Sequence, residues 1–273
     1  MRLRLVTYNI RKGGGRRAPL IAGVLRQLDP DMVILQEAVN PAFVGDVARA
    51  IDSRVIAGGP GRSVAVISRL DGLEATWHRP RRGPGFAEVA IAAANVRVIG
   101  VHLTAGLSGR GERRRIPEMA HVLAVADADP GQGRVVIAGD LNAVAPGDLP
   151  ALARLPAWIR ILLRVDGGIA TTVVARALEA GFVDAFRSQH PDLAGATIPS
   201  AAPSVRLDYF LLSPEVAPGA LSCSLAGADP RILGAASDHL PLVLDLDTAP
   251  DRTAGVSVAE DVCRLADVDL APA

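Results

Sequence analysis

The sequence predicts an α/β chain built on two mixed β-sheets with helices outside. Three observations carry that expectation. Short apolar runs recur along the chain, bounded by Gly, Pro, Asn or Asp, as buried strands are. Between several of them lie stretches with helical spacing of apolar residues. Some neighbouring runs are joined by turns too short for a crossover helix, so hairpins are present and a purely parallel sheet is excluded. With 273 residues, 49% of them hydrophobic, the chain can bury the core of one large domain. Aromatics are only 3%, so Val, Ile, Leu and Ala must fill that core.

In chain order, residues 3–10 alternate and read as a strand. Residues 19–28 have helical spacing with Pro19 near the start, where its missing N–H costs nothing. Residues 32–36, after the turn Asp29-Pro30-Asp31, read as a buried strand. A second helix is predicted over 41–51. Strands over 54–57 and 63–68 flank a Gly/Pro turn, and 87–94 and 96–103 form a hairpin turning near Asn95. A helix over 112–126 precedes a strand over 135–138 and a loop over 143–148. Residues 149–165 read as a helix interrupted at Pro156. Residues 172–180 read as another, closed by Gly181. Strands over 206–212 and 240–246 follow, with a weaker one over 219–226. The domain is expected to span 1–247. Residues 248–273, rich in Ala, Asp, Pro and Thr, read as a loosely attached tail with a helical turn or two around 259–265.

Composition narrows the function classes. The 29 basic residues (28 Arg and the single Lys12) balance 29 acidic ones, and the pI is about 7. Such a chain lacks the global basic field of a tight, non-specific nucleic-acid binder, although local patches can be basic. Cys223 and Cys263 fit no zinc pattern and read as reduced thiols. The N-terminus lacks the long apolar region of a signal peptide, and no uninterrupted apolar stretch is long enough to span a membrane. The expected location is the cytoplasm.

The chemistry sits at strand ends. Asn9 closes the first run, Glu37 the second, His102 the hairpin, and Asp140-Leu141-Asn142 follows Val135–Ala138. Asp208 enters a later strand, and Asp238-His239 precedes the last. Singly, each is ordinary: an Asn or Asp after a strand is usually turn chemistry. Together they place acids, histidines and amides where strand ends of one packed domain can converge. Glu37, Asp140 and Asp238 offer hard oxygen ligands suited to Mg²⁺ or Mn²⁺ rather than zinc. His102 and His239 suit acid–base work and hydrogen bonding to phosphate oxygens. Asp208 is placed to hold one histidine in a fixed tautomer. Asp140 and Asn142, two apart, point the same way if the chain is extended there. Leu141 then faces packing. Asp148, in Pro146-Gly147-Asp148, reads as turn chemistry outside the site.

The stretches TYNI, VILQE, GVHLT, GDLNA, RLDYFLLS and ASDHLP, in this order from Thr7 to Pro241, resemble the endonuclease/exonuclease/phosphatase superfamily. That superfamily includes pancreatic deoxyribonuclease, apurinic endonucleases, inositol-polyphosphate phosphatases and sphingomyelinases. The resemblance implies a four-layer α/β/β/α sandwich with the site at one edge of the two sheets. It also implies divalent-metal-dependent cleavage of a phosphate ester by water. By the same resemblance Glu37 is the main metal ligand, Asn9 a metal-side or phosphate-side partner, and Asp238 a second metal-side carboxylate. Asp140 would orient or deprotonate the attacking water, and Asn142 would donate a hydrogen bond to the transition state. His239 would pair with Asp208, and His102 would be the phosphate-binding or leaving-group histidine of the deoxyribonuclease and sphingomyelinase branches. The resemblance does not decide whether His239 or Asp140 is the base.

For the substrate, His102 in GVHLTAG and short connecting loops lead away from the apurinic branch, whereas RLDYFLLS leads toward it. The neutral balance points to a small or lipid-linked phosphate ester, with DNA or RNA as the alternative. Two arginine clusters are phosphate-binding candidates: Arg79, Arg81 and Arg82, and the group Arg110, Arg113, Arg114 and Arg115. The second follows His102 closely and is the stronger expectation. Residues 152–165 are apolar with interspersed arginines; packing on the chain's own sheet is the favoured reading, and peripheral membrane contact the other.

Overall fold

A computed structural model describes residues 1–106, 109–128, 133–148, 157–158, 160–161, 169–227 and 229–249. Two six-stranded mixed sheets pack face to face with helices on both outer faces, the four-layer sandwich that the resemblance implies. In chain order the described elements are β1 (Arg2–Asn9), α1 (Ala18–Leu28), β2 (Met32–Gln36), α2 (Pro41–Ala50), β3 (Arg54–Ala57) and β4 (Val64–Ser68). There follow β5 (Leu73–His78), β6 (Phe86–Ile91), β7 (Val96–His102), α3 (Gly109–Asp127), β8 (Val135–Asp140) and α4 (Thr172–Glu179). The chain continues with β9 (Val183–Asp184), α5 (Ala185–Gln189), β10 (Asp208–Leu212), β11 (Ala220–Leu225), α6 (Pro230–Ala236) and β12 (Leu242–Asp247).

The strand order is β11-β12-β1-β2-β4-β3 in one sheet and β5-β6-β7-β8-β10-β9 in the other. Each sheet has one parallel pair at its centre, β1 with β2 and β7 with β8. Their other neighbours run antiparallel. This arrangement decides where the site lies. Parallel partners end at the same edge of the sheet, and an antiparallel neighbour begins there. Asp208, the first residue of β10, therefore lies opposite Asp140, the last of β8, and Thr7 near the end of β1 pairs with Leu242 at the start of β12.

The central strands alternate between two apolar environments rather than between core and water. Met32 and Ile34 of β2 join the inter-sheet core, while Val33 and Leu35 pack under α1 and α2. Val136 and Ala138 of β8 face the other sheet, while Val135 and Ile137 meet α3 and α4. Both faces are covered, which is why these segments read as continuous apolar runs.

Several expectations shift. The strand expected over 135–138 continues to Asp140, so the site carboxylate ends the strand instead of following it. The helix expected from 112 begins at Gly109. β5, α6 and the short β9 and α5 were not legible: β5 is a half-exposed edge strand, LEATWH, without an apolar run. Gly181 has φ +91° and follows α4, as its closing role requires. Cys223 is a buried free thiol. The helix expected over 149–165 lies outside the described residues except for Ala157, Trp158, Arg160 and Ile161, all exposed. The turns expected around 259–265 and Cys263 lie outside them too. No helix among the described residues is long and apolar enough to cross a membrane.

Candidate active site

At the shared edge of the sheets a cavity of about 420 Å³ is lined by Glu37, His102, Asp140, Asn142, Asp238 and His239, together with Lys12, Gly13 and Ser63. Six residues from four strand-end segments thus meet in one place. Asn9 joins from below: its Nδ2 donates to Asp140 Oδ2 at 2.9 Å, across 131 positions of sequence.

Asp140 is almost wholly buried. Its Oδ1 accepts the Asn142 backbone N–H at 2.8 Å. Burial raises its pKa, and the nearby Asp208 carboxylate raises it further, against the opposing pull of His239, His102 and the Asn9 amide. His102 Nε2 and His239 Nε2 stand 3.9 and 3.8 Å from Asp140 Oδ2, leaving that oxygen facing two imidazoles.

His239 is held from behind. Its Nδ1–H donates to Asp208 Oδ2 at 2.8 Å, and Asp208 is completely buried. Burial alone would lower the imidazole's pKa. The charge and hydrogen bond of Asp208, with Asp140 and Asp238 nearby, override it and raise the value to about 10. The raised pKa favours the imidazolium form, in which an Nε2–H faces the cavity.

Asn142 departs from the expected geometry. The strand ends at Asp140, and Asn142 has φ +47°, so the two side chains do not line up along an extended chain. Its Nδ2 instead donates to the Leu103 carbonyl at 3.0 Å, tying this loop to the end of β7. Leu141 is fully buried in the packing under α3, as expected. Glu37 also sits in the left-handed region, at φ +55°. Such backbone is sparsely populated by non-glycine residues and gathers at functional sites.

The loop after β1 organises the other side. Residues Arg11 to Gly15 all have positive φ. The Arg11 N–H donates to Asn9 Oδ1 at 2.9 Å and the Lys12 N–H to Glu37 Oε2 at 2.5 Å. The Arg17 guanidinium pins the loop, donating to the carbonyls of Ile10, Gly14 and Ala236 at 2.9, 2.9 and 2.6 Å. Arg11 Nε pairs with Asp238 Oδ2 at 3.3 Å. The signal for these contributors was RKGGG directly after a strand, which admits a left-handed turn beside the site.

Asp140, Asp208 and His239 bring three potential ligand atoms within 4.8 Å of one another, so this cluster could hold a cation. Two of its oxygens already accept short bonds from the His239 ring and the Asn9 amide, which a cation would have to displace. Glu37 is freer: its Oε1 has no hydrogen-bond partner among the described residues, and it lines the same cavity as a second carboxylate, Asp238.

The second arginine cluster is not part of the cavity's lining. Arg110, Arg113 and Arg114 are exposed on α3, and none lines the cavity. The helix turns Glu112, Arg115 and Glu118 inward instead, and Arg115 pairs with Glu112 at 3.2 Å. Asp148 lies outside the site, accepting ion pairs from Arg187 and Arg206 at 2.9 and 2.7 Å. Arg206, the first residue of RLDYF, is buried between Asp148, Asp184 and the Tyr209 ring and is structural.

Solved structures resemble this fold. An AP endonuclease from Archaeoglobus fulgidus aligns with TM-score 0.69 at 22% identity, covering 90% of this chain and 99% of that one. The 3′ phosphatase NExo from Neisseria, bound to a product DNA hairpin, aligns with TM-score 0.65 at 20% identity, covering 90% and 99%. A humanized D. rerio TDP2 aligns with TM-score 0.60 at 19% identity, again covering 90% and 99%. No curated protein matches the sequence. A family model matches residues 6–239, from the first strand to the site histidine, and the chain belongs to the Endonuclease/Exonuclease/phosphatase family.

Proposed function

We propose that this protein is a divalent-metal-dependent phosphoesterase that hydrolyses a phosphodiester or phosphomonoester by in-line attack of water. The observation that carries the reading is the Asp208–His239 pair facing Asp140 across one cavity. The Asp208 carboxylate on Nδ1 raises the pKa of His239, which suits the ring to donate rather than to act as base. Its Nε2–H can donate to a phosphoryl oxygen as charge grows there. Asp140, with its pKa raised by burial and by Asp208, is the better proton acceptor for water. The Asn9 amide on Oδ2 and the Asn142 N–H on Oδ1 keep the carboxylate in one orientation. His102 approaches from the β7 side and is placed to bind a non-bridging oxygen or protonate the leaving group. Glu37, Asn9 and Asp238 supply hard oxygens that would hold Mg²⁺ or Mn²⁺, with the Arg11 and Lys12 N–H groups setting the first two. When bound, such an ion would stabilise charge on the phosphoryl oxygens.

The neutral charge balance supports a small or lipid-linked ester as substrate. A second reading, a Mg²⁺-dependent nuclease on DNA or RNA, is supported by the DNA-directed proteins among its structural neighbours. Hydrolysis of bis(p-nitrophenyl) phosphate with Mg²⁺ or Mn²⁺ tests the chemistry. EDTA should abolish turnover, and Asp140→Asn should lower kcat by about 10²-fold or more. Full turnover by Asp140→Asn would overturn the assignment. A panel of phospholipid, nucleotide and duplex DNA substrates then separates the two readings.

A further inference from the structure

Beside the catalytic cavity lies a second one of about 340 Å³, and Ser63 lines both. Its wall is Arg62, Trp77 and Arg79, set in the prolines and glycines of residues 60–61 and 80–85. The Arg62 guanidinium lies over the Trp77 ring, 4.3 Å from its centroid, while its Nη1 donates to the Gly58 carbonyl at 3.0 Å. Stacking and that bond hold the guanidinium flat and leave its other N–H groups for a ligand. Arg79 is exposed and makes no ion pair among the described residues. No acidic residue lines this cavity. Gly85 is required for its floor: a Cβ there would come within 2.7 Å of Trp77 Nε1 and 2.8 Å of the His78 carbonyl. Arg79 comes from the arginine cluster ranked second in the sequence, whereas Arg110, Arg113 and Arg114 face solvent.

Resting on the phosphoesterase reading, we propose that this cavity is a second anion subsite, and that the preferred substrate carries a second phosphate one short linker away from the scissile one. Two guanidiniums, one fixed by an aromatic ring, recognise a phosphate through charge-assisted, paired hydrogen bonds, and the Glu118 carboxylate behind Gly83 is taken up by the Thr104 N–H and hydroxyl. Ser63 lines both cavities, so one molecule spanning that residue would occupy both. The shared chemistry is a phosphate; its source is either the next phosphate of a nucleotide chain or that of a small bisphosphate.

Two matched substrate pairs test this: dTpdT against its 5′-phosphorylated form, and an inositol monophosphate against a bisphosphate. The phosphorylated member of at least one pair should be preferred in kcat/KM, and which pair responds identifies the source. Arg62→Gln or Arg79→Gln should reduce that preference about tenfold. A preference unchanged in both variants, or absent in the unsubstituted protein, overturns the subsite while leaving the phosphoesterase reading intact. A second readout needs no turnover. The sequence has two tryptophans, so in a Trp158→Phe background Trp77 reports alone. Pyrophosphate should change its fluorescence saturably, and Arg79→Gln should weaken that binding about tenfold. Saturable binding with no hydrolysis of any phosphoester would retain the anion subsite and overturn the catalytic reading. A flat titration overturns the subsite.

Discussion

His239 shows how few atoms decide a chemical role. Its Nδ1–H is given to a buried carboxylate, so the ring holds its proton and presents Nε2–H to the cavity. The raised pKa also links to stability. Because the folded value, about 10, lies above the ordinary 6.5, the stabilisation is fully present below about pH 6.5 and is lost as pH rises through 10. NMR titration of His239 should therefore find a midpoint near 10 in the unsubstituted protein. Asp208→Asn should lower it by more than about one unit, since a neutral amide supplies no charge. Urea unfolding across the same range should show less alkaline loss of stability in Asp208→Asn. A midpoint near 6.5 in the unsubstituted protein would remove the argument for His239 as donor rather than base. Of these partners, Asp208 and His239 were readable individually as polar residues at strand starts. Their pairing was expected through the resemblance, while the atoms that meet, Nδ1 with Oδ2 across 31 positions, follow from the strand order.

At the scale of elements, β7 and β8 set the separation of His102 and Asp140, which are register partners at the ends of their parallel pair. Gly139 makes that approach possible. Its φ is +147°, and a Cβ on it would overlap the Val101 carbonyl on β7. Gly139→Ala should destabilise the protein by about 2 kcal/mol or more in urea unfolding, with a further loss of turnover as the two strand ends separate. Turnover and stability both unchanged would show that the pair can spread without moving the site. The motif GDLNA was legible, and the extension of β8 through its glycine to Asp140 was not. The extended alignment of Asp140 with Asn142 failed for the same reason. Strand propensity reads φ/ψ preferences residue by residue, while the left-handed turn at Asn142 is stabilised by its bond to the Leu103 carbonyl on another strand.

For the whole molecule, the inter-sheet core keeps both rows of strand ends in one plane. Ile34 on β2 is fully buried in it, whereas Leu221 on β11 is half exposed. Ile34→Ala should cost about 2–5 kcal/mol and Leu221→Ala within about 0.5 kcal/mol in chemical denaturation. Similar losses at both positions would contradict the layer assignment. The apolar runs, the polar residues at their ends and, through six ordered motifs, the family were legible before any fold was known. Those are local features, written in side-chain type and spacing. Which atoms meet came from the fold: the Asn9 amide on Asp140, and Asp148 with Arg187 and Arg206 away from the site. It also turned Arg110, Arg113 and Arg114 outward and brought Arg62 onto Trp77 beside the catalytic cavity. The reason is that contacts between strand ends follow from strand order and sheet packing, which no stretch of sequence carries alone.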